Sequence, residues 1–298
     1  MTRIVVLGDA VVSMVASTPG EFEAGTAQTT RNHMSIGGDA AVVAAWMARN
    51  RHPVQLAACV GNDPMGQFIR SQTQRLGVKA DLLQTAPTAR TGTSVMVVDI
   101  LGMRTTLFDP GANPAIGLTP DLASAIEQAD VLVLSTTMYL RTETRDLALE
   151  ILDIARATDT VLIADAADAH GIANAGPMNV RRFLDQADIV VANDEEVAAL
   201  TSDQPAGWLG SLPNMVITHR AGGASWWSNG TPVARKSASP VAVVDTTGAG
   251  AAFLAGVVVV LSDTGEFLDI TKGTKLKALE LGVSVAASAC SQEGPWPR

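Results

Sequence analysis

The sequence predicts an α/β fold, a mostly parallel sheet with helices packed on both faces. Short apolar runs that do not alternate recur at Ile4–Leu7, Val54–Val60, Val131–Leu134, Val161–Ala164, Ile189–Ala192 and Met215–Thr218. A strand that is apolar at every position buries both of its faces. Amphipathic stretches of helical spacing lie between most of these runs, at Met65–Leu76, Pro120–Gln128, Thr144–Ala157 and Glu195–Leu200. Strands and helices in that order make a parallel sheet covered above and below. The third observation is where the polar residues fall. Asp130, Thr160 and Asp188 each open a strand, so the C-terminal strand ends come at Ser135-Thr136, Asp165 and Asn193. Open α/β sheets bind ligands at those ends, so topology alone brings three polar groups to one edge.

Composition agrees with one large domain over residues 1–298. Of the 298 residues, 47% are hydrophobic and 17% charged, which suits a sizeable core and excludes a disordered chain. No repeat, low-complexity tract or Pro/Gly/Ser linker divides the chain. A net charge of −9 and a pI near 4.9 argue against nucleic acid or an anionic membrane as partner. A bound phosphate must then find positive potential locally, in backbone dipoles or a metal ion. The first strand begins too soon for a signal peptide. The longest apolar run, Ala249–Leu261, is too short and glycine-interrupted to span a bilayer. A soluble, cytoplasmic protein is expected. His33, His52, His170 and His219 show no metal or triad spacing.

Two regions break the pattern, residues 11–34 and about 81–108, which alternate and carry β-branched residues. In the second, Thr93–Val98 and Arg104–Leu107 flank Leu101-Gly102 and read as a hairpin. Strands drawn out of a parallel core in this way predict a small β-sheet lid.

The stretch from Val243 to Gly256 carries the strongest chemical signal. Apolar residues lead into the polar turn Asp245-Thr246-Thr247, then Gly248-Ala249-Gly250 opens a long apolar helix. A helix start of this kind leaves backbone N–H groups unpaired and adds the positive end of the helix dipole, so it is a ready anion site. Glycine at 248 and 250 lets the backbone approach a phosphate closely. No Lys-Ser/Thr follows, which excludes a P-loop, and no third glycine completes a dinucleotide fingerprint.

Asp245-Thr246-Thr247-Gly248-Ala249-Gly250-Ala251-Ala252-Phe253 resembles the C-terminal signature of the ribokinase-like, or PfkB, carbohydrate kinases, Asp-Thr-x-Gly-Ala-Gly-Asp-Ala-Phe. One position departs: the family places its catalytic Asp where this chain has Ala251. The Gly37-Gly38-Asp39-Ala40-Ala41-Val42 stretch falls on the family's Gly-Gly-x-x-x-Asn sugar signature, with Val42 at the Asn position. A second sugar-binding Asp of the family aligns with Ser13. Asp9 and Asp39 are candidates to take over those contacts, and Asp39 reads equally as a helix N-cap. Val60-Gly61-Asn62-Asp63-Pro64-Met65-Gly66 resembles a structural turn of the family, and Pro110-Gly111-Ala112-Asn113 places Asn113 within reach of substrate. Asn193-Asp194-Glu195-Glu196 resembles the Asn-x-x-Glu motif that orders Mg²⁺ and phosphate through water, and also reads as helix capping. Thr218 matches a nucleotide-phosphate contact; Arg220 replaces a family glycine and reads either as a phosphate partner or as a solvent-exposed side chain; and Asp245 and Thr247 match positions that touch a monovalent cation such as K⁺ or the Mg²⁺ network.

The resemblance covers nearly the whole chain. It implies a ribokinase-like three-layer α/β/α fold with a lid, and ATP- and Mg²⁺-dependent phosphotransfer to a hydroxyl of a sugar, polyol or nucleoside. A homodimer through the lid is carried as an expectation. In the implied mechanism Gly248, Ala249 and Gly250 form the anion hole, while Ala251 cannot accept the proton that the family Asp removes. Two explanations of Ala251 stand: an engineered Asp→Ala change that traps ligands, and a natural pseudokinase acting as a sugar- or nucleotide-binding sensor.

Overall fold

The computed structural model describes residues 2–100, 104–202 and 207–298. In chain order its strands are β1 (Ile4–Leu7), β2 (Val11–Ser17), β3 (Arg31–Gly37), β4 (Gln55–Gly61), β5 (Leu83–Ala86), β6 (Thr93–Val98) and β7 (Arg104–Asp109). They continue with β8 (Val131–Ser135), β9 (Val161–Asp165), β10 (Ile189–Asn193), β11 (Met215–Thr218), β12 (Ala224–Ser228) and β13 (Thr231–Lys236). The helices are α1 (Asp39–Arg49), α2 (Pro64–Leu76), α3 (Pro120–Glu127), α4 (Thr137–Leu140) and α5 (Arg145–Ala157). They continue with α6 (Ala169–Ala175), α7 (Pro177–Leu184), α8 (Asp194–Leu200), α9 (Ala249–Thr264) and α10 (Lys272–Cys290).

Among the described residues the main sheet has the order β13-β12-β11-β10-β9-β8-β1-β4-β5. It is parallel from β11 to β5, and β12 and β13 add an antiparallel edge. Every apolar run expected as a strand lies in it. The reason such runs lack alternation is visible in β1. Ile4 and Val6 face a core shared with α1, α2, α9 and α10, whereas Val5 and Leu7 face a second core under α3, α5, α7 and α8. With water excluded from both faces, no position along the strand selects for a polar side chain. Helix α9 is buried on almost every side, and it lies so close to α10 that a Cβ on Gly256 would stand 2.8 Å from the Gly282 Cα. Small residues at that crossing let the two backbones touch. No helix among the described residues is long and apolar enough to cross a membrane.

A second sheet, ordered β3-β2-β6-β7, stands apart from the first. β6 and β7 pair antiparallel from Thr93 opposite Asp109 to Val98 opposite Arg104, the hairpin expected from alternation. The turn expected at Leu101-Gly102 lies outside the described residues. The lid segments are shifted from their expected bounds. Leu83–Ala86 pairs with β4 at the edge of the main sheet, where its two end residues are buried, and the lid takes up the chain only at Thr93. At the other end β3 runs on to Gly37, directly into α1. The Val60–Gly66 turn is structural: the Asp63 carboxylate caps α2 at the Gly66 amide, 2.8 Å away, and holds the Thr91 hydroxyl at 2.6 Å.

Candidate active site

The C-terminal ends of the parallel strands meet in register. Ser135 pairs with Asp165, and Asn193 with Thr218, so four polar residues from β8 to β11 share one edge. Helix α9 begins against α1, with Gly248 beside Val42 and Pro295. Its N-cap, Gly248, has φ 77° and ψ 3°, the left-handed region, and a Cβ there would lie 2.5 Å from the Pro295 Cβ. Conformation and space both require glycine. The Ala249 amide closes on the Thr246 carbonyl at 3.2 Å. The amides of Gly250 and Ala251 have no hydrogen-bond partner among the described residues, and no acidic side chain occupies the first turn. Unpaired N–H groups at the positive end of a 16-residue helix make an electropositive spot in an acidic protein.

Asp245 and Thr247 build the turn that leads there. One oxygen of the buried Asp245 carboxylate accepts from the Thr247 amide and hydroxyl at 2.9 and 2.7 Å, and the other from the Gly294 amide at 3.0 Å. Residues 294–295 thus wall the turn from behind, and the Trp46 indole donates to the Pro295 carbonyl at 3.0 Å. Ala251 is half-buried, with its methyl packed against the main core.

Asn193 and Glu196 form a reciprocal capping box on α8. The Asn193 Oδ1 accepts from the Glu195 and Glu196 amides at 2.9 Å, and the Glu196 carboxylate accepts from the Asn193 amide at 2.8 Å and its Nδ2 at 2.7 Å. Capping does not exhaust Glu196. Burial pushes its carboxyl up to about 7 despite those hydrogen bonds. Asp165 is raised well above the ordinary carboxylate range, first by burial and then by the charges of Glu196 and Asp39. Two neighbouring carboxylates that resist ionisation are what a divalent cation relieves. No cluster of three ligating side chains exists among the described residues. A hard cation that keeps its waters and needs only one or two carboxylates, as Mg²⁺ does, fits this donor set.

Beside this edge, under the lid, lies a cavity of about 600 Å³ lined by Asp9, Gly38, Asp39, Phe108, Thr137 and Arg141 among others. Gly38, not Asp39, is the N-cap of α1, at φ 94°. As the first helical residue, Asp39 instead ties strand ends together. One of its oxygens accepts from the Asp9 and Ala40 amides at 2.7 and 2.6 Å, and the other from the Ser135 and Thr137 hydroxyls. The Asp9 carboxylate is gripped by both terminal nitrogens of Arg141. Burial dominates that pairing and raises Asp9 to about 6. The Arg141 guanidinium also lies over the lid ring of Phe108, 5.7 Å from its centroid.

Over residues 1–296 the chain matches the pfkB family carbohydrate kinases. It belongs to that family. The ATP-dependent ribose-1-phosphate kinase of Halopiger xanaduensis is 27% identical over 276 residues, covering 91% of this chain and 85% of the relative. Among solved structures, a putative ribokinase II from E. coli in its apo form superposes with a TM-score of 0.84 at 20% identity, covering 99% of this chain and 95% of that one. Arabidopsis thaliana ribokinase complexed with ribose and ATP gives 0.80 at 21% identity, covering 100% and 96%. The likeness extends to the architecture: this pfkB chain has the ribokinase-like three-layer fold with its separate small sheet.

Of the residues singled out from sequence, the structure places Thr218, Asn193 and Glu196 together at the β10–β11 strand ends, Asp9, Gly38 and Asp39 in the cavity, and Gly248 against Val42 and Pro295 at the start of α9. Four others are occupied elsewhere. Asn113 is buried, its Oδ1 accepting from the Ala10 amide at 3.0 Å and its Nδ2 donating to the Ala10 and Pro110 carbonyls. Val42 belongs to the core, and a Cβ on Gly248 would stand 3.3 Å from its Cγ1. Ser13 is buried in β2 behind Gly37. Arg220 pairs with Glu195. Sequence reasoning missed Thr137 and Arg141. Their only signal was position, just past the strand end at Ser135.

Proposed function

We propose that this pfkB chain binds Mg·ATP and transfers, or in its active form transferred, the γ-phosphate to a hydroxyl of a sugar, polyol or nucleoside. The observation that carries the reading is the pair of unpaired amides at Gly250 and Ala251, just past Gly248, a position that tolerates no side chain. Those amides would hold the charge that develops on the transferred phosphoryl group, and Thr218 would contact the phosphates from the end of β11. Asn193 and Glu196 would order the metal's water shell. Mg²⁺, when bound, neutralises phosphate oxygens. Asp9, Asp39 and Arg141 would present acceptors and donors to hydroxyls in the 600 Å³ cavity. The Ala251 methyl removes no proton, so turnover is impaired.

A second reading, a ligand-binding sensor without catalysis, is favoured by one specific observation. Ser13, Val42 and Ala251 together lack the carboxylates and amide of the family pattern, and Val42 is core. Calorimetry with Mg·ADP and a non-hydrolysable ATP analogue tests the nucleotide site. Absence of heat at millimolar nucleotide would overturn the kinase reading. A thermal-shift panel of ribose, ribose 1-phosphate, hexoses, polyols and nucleosides then seeks the acceptor, which at a hundred times its Kd stabilises by about 2.7 kcal/mol.

A further inference from the structure

We infer that His219 and Arg220 are positioning residues for the nucleotide's phosphates, acting through the first turn of α8. The inference rests on the nucleotide-site reading of Thr218, Asn193 and Glu196. Arg220 has φ 49°, in the left-handed region, at the position where the family pattern carries glycine. A non-glycine residue there costs about 1–2 kcal/mol. A tight turn holds it: the His219 amide donates to the Gly223 carbonyl at 2.8 Å, and the Gly222 amide to the His219 carbonyl at 2.7 Å. In that conformation two successive side chains grip two successive acids. Arg220 pairs with Glu195, and the His219 Nδ1 lies 2.7 Å from the Asp194 Oδ1. Both acids stand between Asn193 and Glu196, the two members of the capping box.

His219 is itself held from the other side. Its Nε2 lies 2.7 Å from the Ser225 Oγ, which also accepts from the Trp227 indole at 2.9 Å. An ionised carboxylate only accepts, so Nδ1 carries a proton and gives it to Asp194; in the neutral ring Nε2 is then an acceptor and takes the Ser225 hydroxyl. The relay runs in one direction, Trp227 to Ser225 to His219 to Asp194. It fastens the start of α8 to strand β12, whose backbone is set by the main sheet. The clamp also has an electrostatic effect. The first turn of α8 carries two exposed acids, Asp194 and Glu195, a concentration of negative charge beside the proposed polyphosphate site. Arg220 offsets one charge, and the His219 N–H engages another.

The test is titration of Mg·ADP into the wild type and three variants by calorimetry, with melting points recorded alongside. His219→Phe removes both ring hydrogen bonds and should weaken Mg·ADP about tenfold or more, as loss of an outer-shell partner does. His219→Asn keeps a donor where Nδ1 stands and should stay within about threefold of wild type. Arg220→Gly restores the family residue and relieves the backbone, so its melting point should hold or rise. Its Mg·ADP affinity should nevertheless fall about threefold to tenfold at low salt, converging on wild type as screening shortens. If wild type binds Mg·ADP and both His219→Phe and Arg220→Gly bind it equally well, the clamp is only structural and the inference is wrong. If wild type itself binds no nucleotide, the kinase reading falls and takes this inference with it.

Discussion

Replacing Ala251 by Asp puts a carboxylate where the family pattern has its base, and the structure bounds what else changes. Ala251 is the third residue of α9, half-buried, in a first turn with no acid. A carboxylate there gains about 0.3–1 kcal/mol from the helix dipole. Displacing the partly buried methyl forfeits up to about 0.8 kcal/mol. The two nearly cancel, so the melting point should move by no more than about 4 °C. The kinetic effect is far larger. A positioned general base contributes about 10²–10⁴ in rate, or about 3–5 kcal/mol in the barrier. Coupled ADP-release assays with the acceptor found by thermal shift should therefore show kcat rising at least a hundredfold for Ala251→Asp, with KM for ATP little changed. Ala251→Asn, of the same shape and without basicity, is the control. If Ala251→Asp folds, binds both ligands and transfers phosphate no faster than Ala251→Asn, the proton-removal argument is refuted. The sensor reading then replaces it.

Three other outcomes follow from particular contacts. Gly248→Ala forces a left-handed alanine against Pro295 and should cost about 2–5 kcal/mol in urea unfolding; a loss under 1 kcal/mol would show that the turn relaxes freely. Glu196 is raised from 4.5 to about 7, so its folded state binds the extra proton. Its contribution to stability is full below about pH 4.5 and is lost as pH rises through about 7, a span of about 3 kcal/mol. Nucleotide binding with Mg²⁺ at pH 6 should accordingly release a proton, seen as buffer-dependent heat, and Glu196→Gln should abolish that release while weakening Mg·ADP. Asp9 behaves alike between about pH 4 and 6; Asp9→Asn should flatten that part of the stability profile, and an unaltered profile would place the titration elsewhere.

Much of the fold is legible in the sequence. The strands, their direction and the polar edge followed from runs such as Val131–Leu134, because burial on both faces leaves a continuous apolar signature. The Asp245–Phe253 turn was legible in part because the glycine requirement at Gly248 is conformational. What sequence could not show was partnership. Asp39 read equally as a substrate contact and as a helix cap; its carboxylate bridges α1 to the Ser135 and Thr137 hydroxyls. Asn113 read as a substrate contact and is consumed by the Ala10 backbone. Arg141 carried no motif at all. Its role comes from a pairing with Asp9 across 132 positions of chain, which no local pattern encodes.

The wall that residues 294–295 build behind the phosphate turn has a consequence for how the site comes into being. Asp245 holds the Gly294 amide, Gly248 abuts Pro295, and Trp46 on α1 ties down the same proline. The proposed nucleotide loop is therefore assembled from three separated parts of the chain. As the polypeptide is synthesised, residues 245–251 emerge well before the segment that braces them. Until that segment arrives, the nascent domain can complete its inner strands while the phosphate turn stays unsupported. On the proposed function, competence to hold nucleotide then waits on that brace, and nucleotide binding is expected to report that the C-terminal segment has docked.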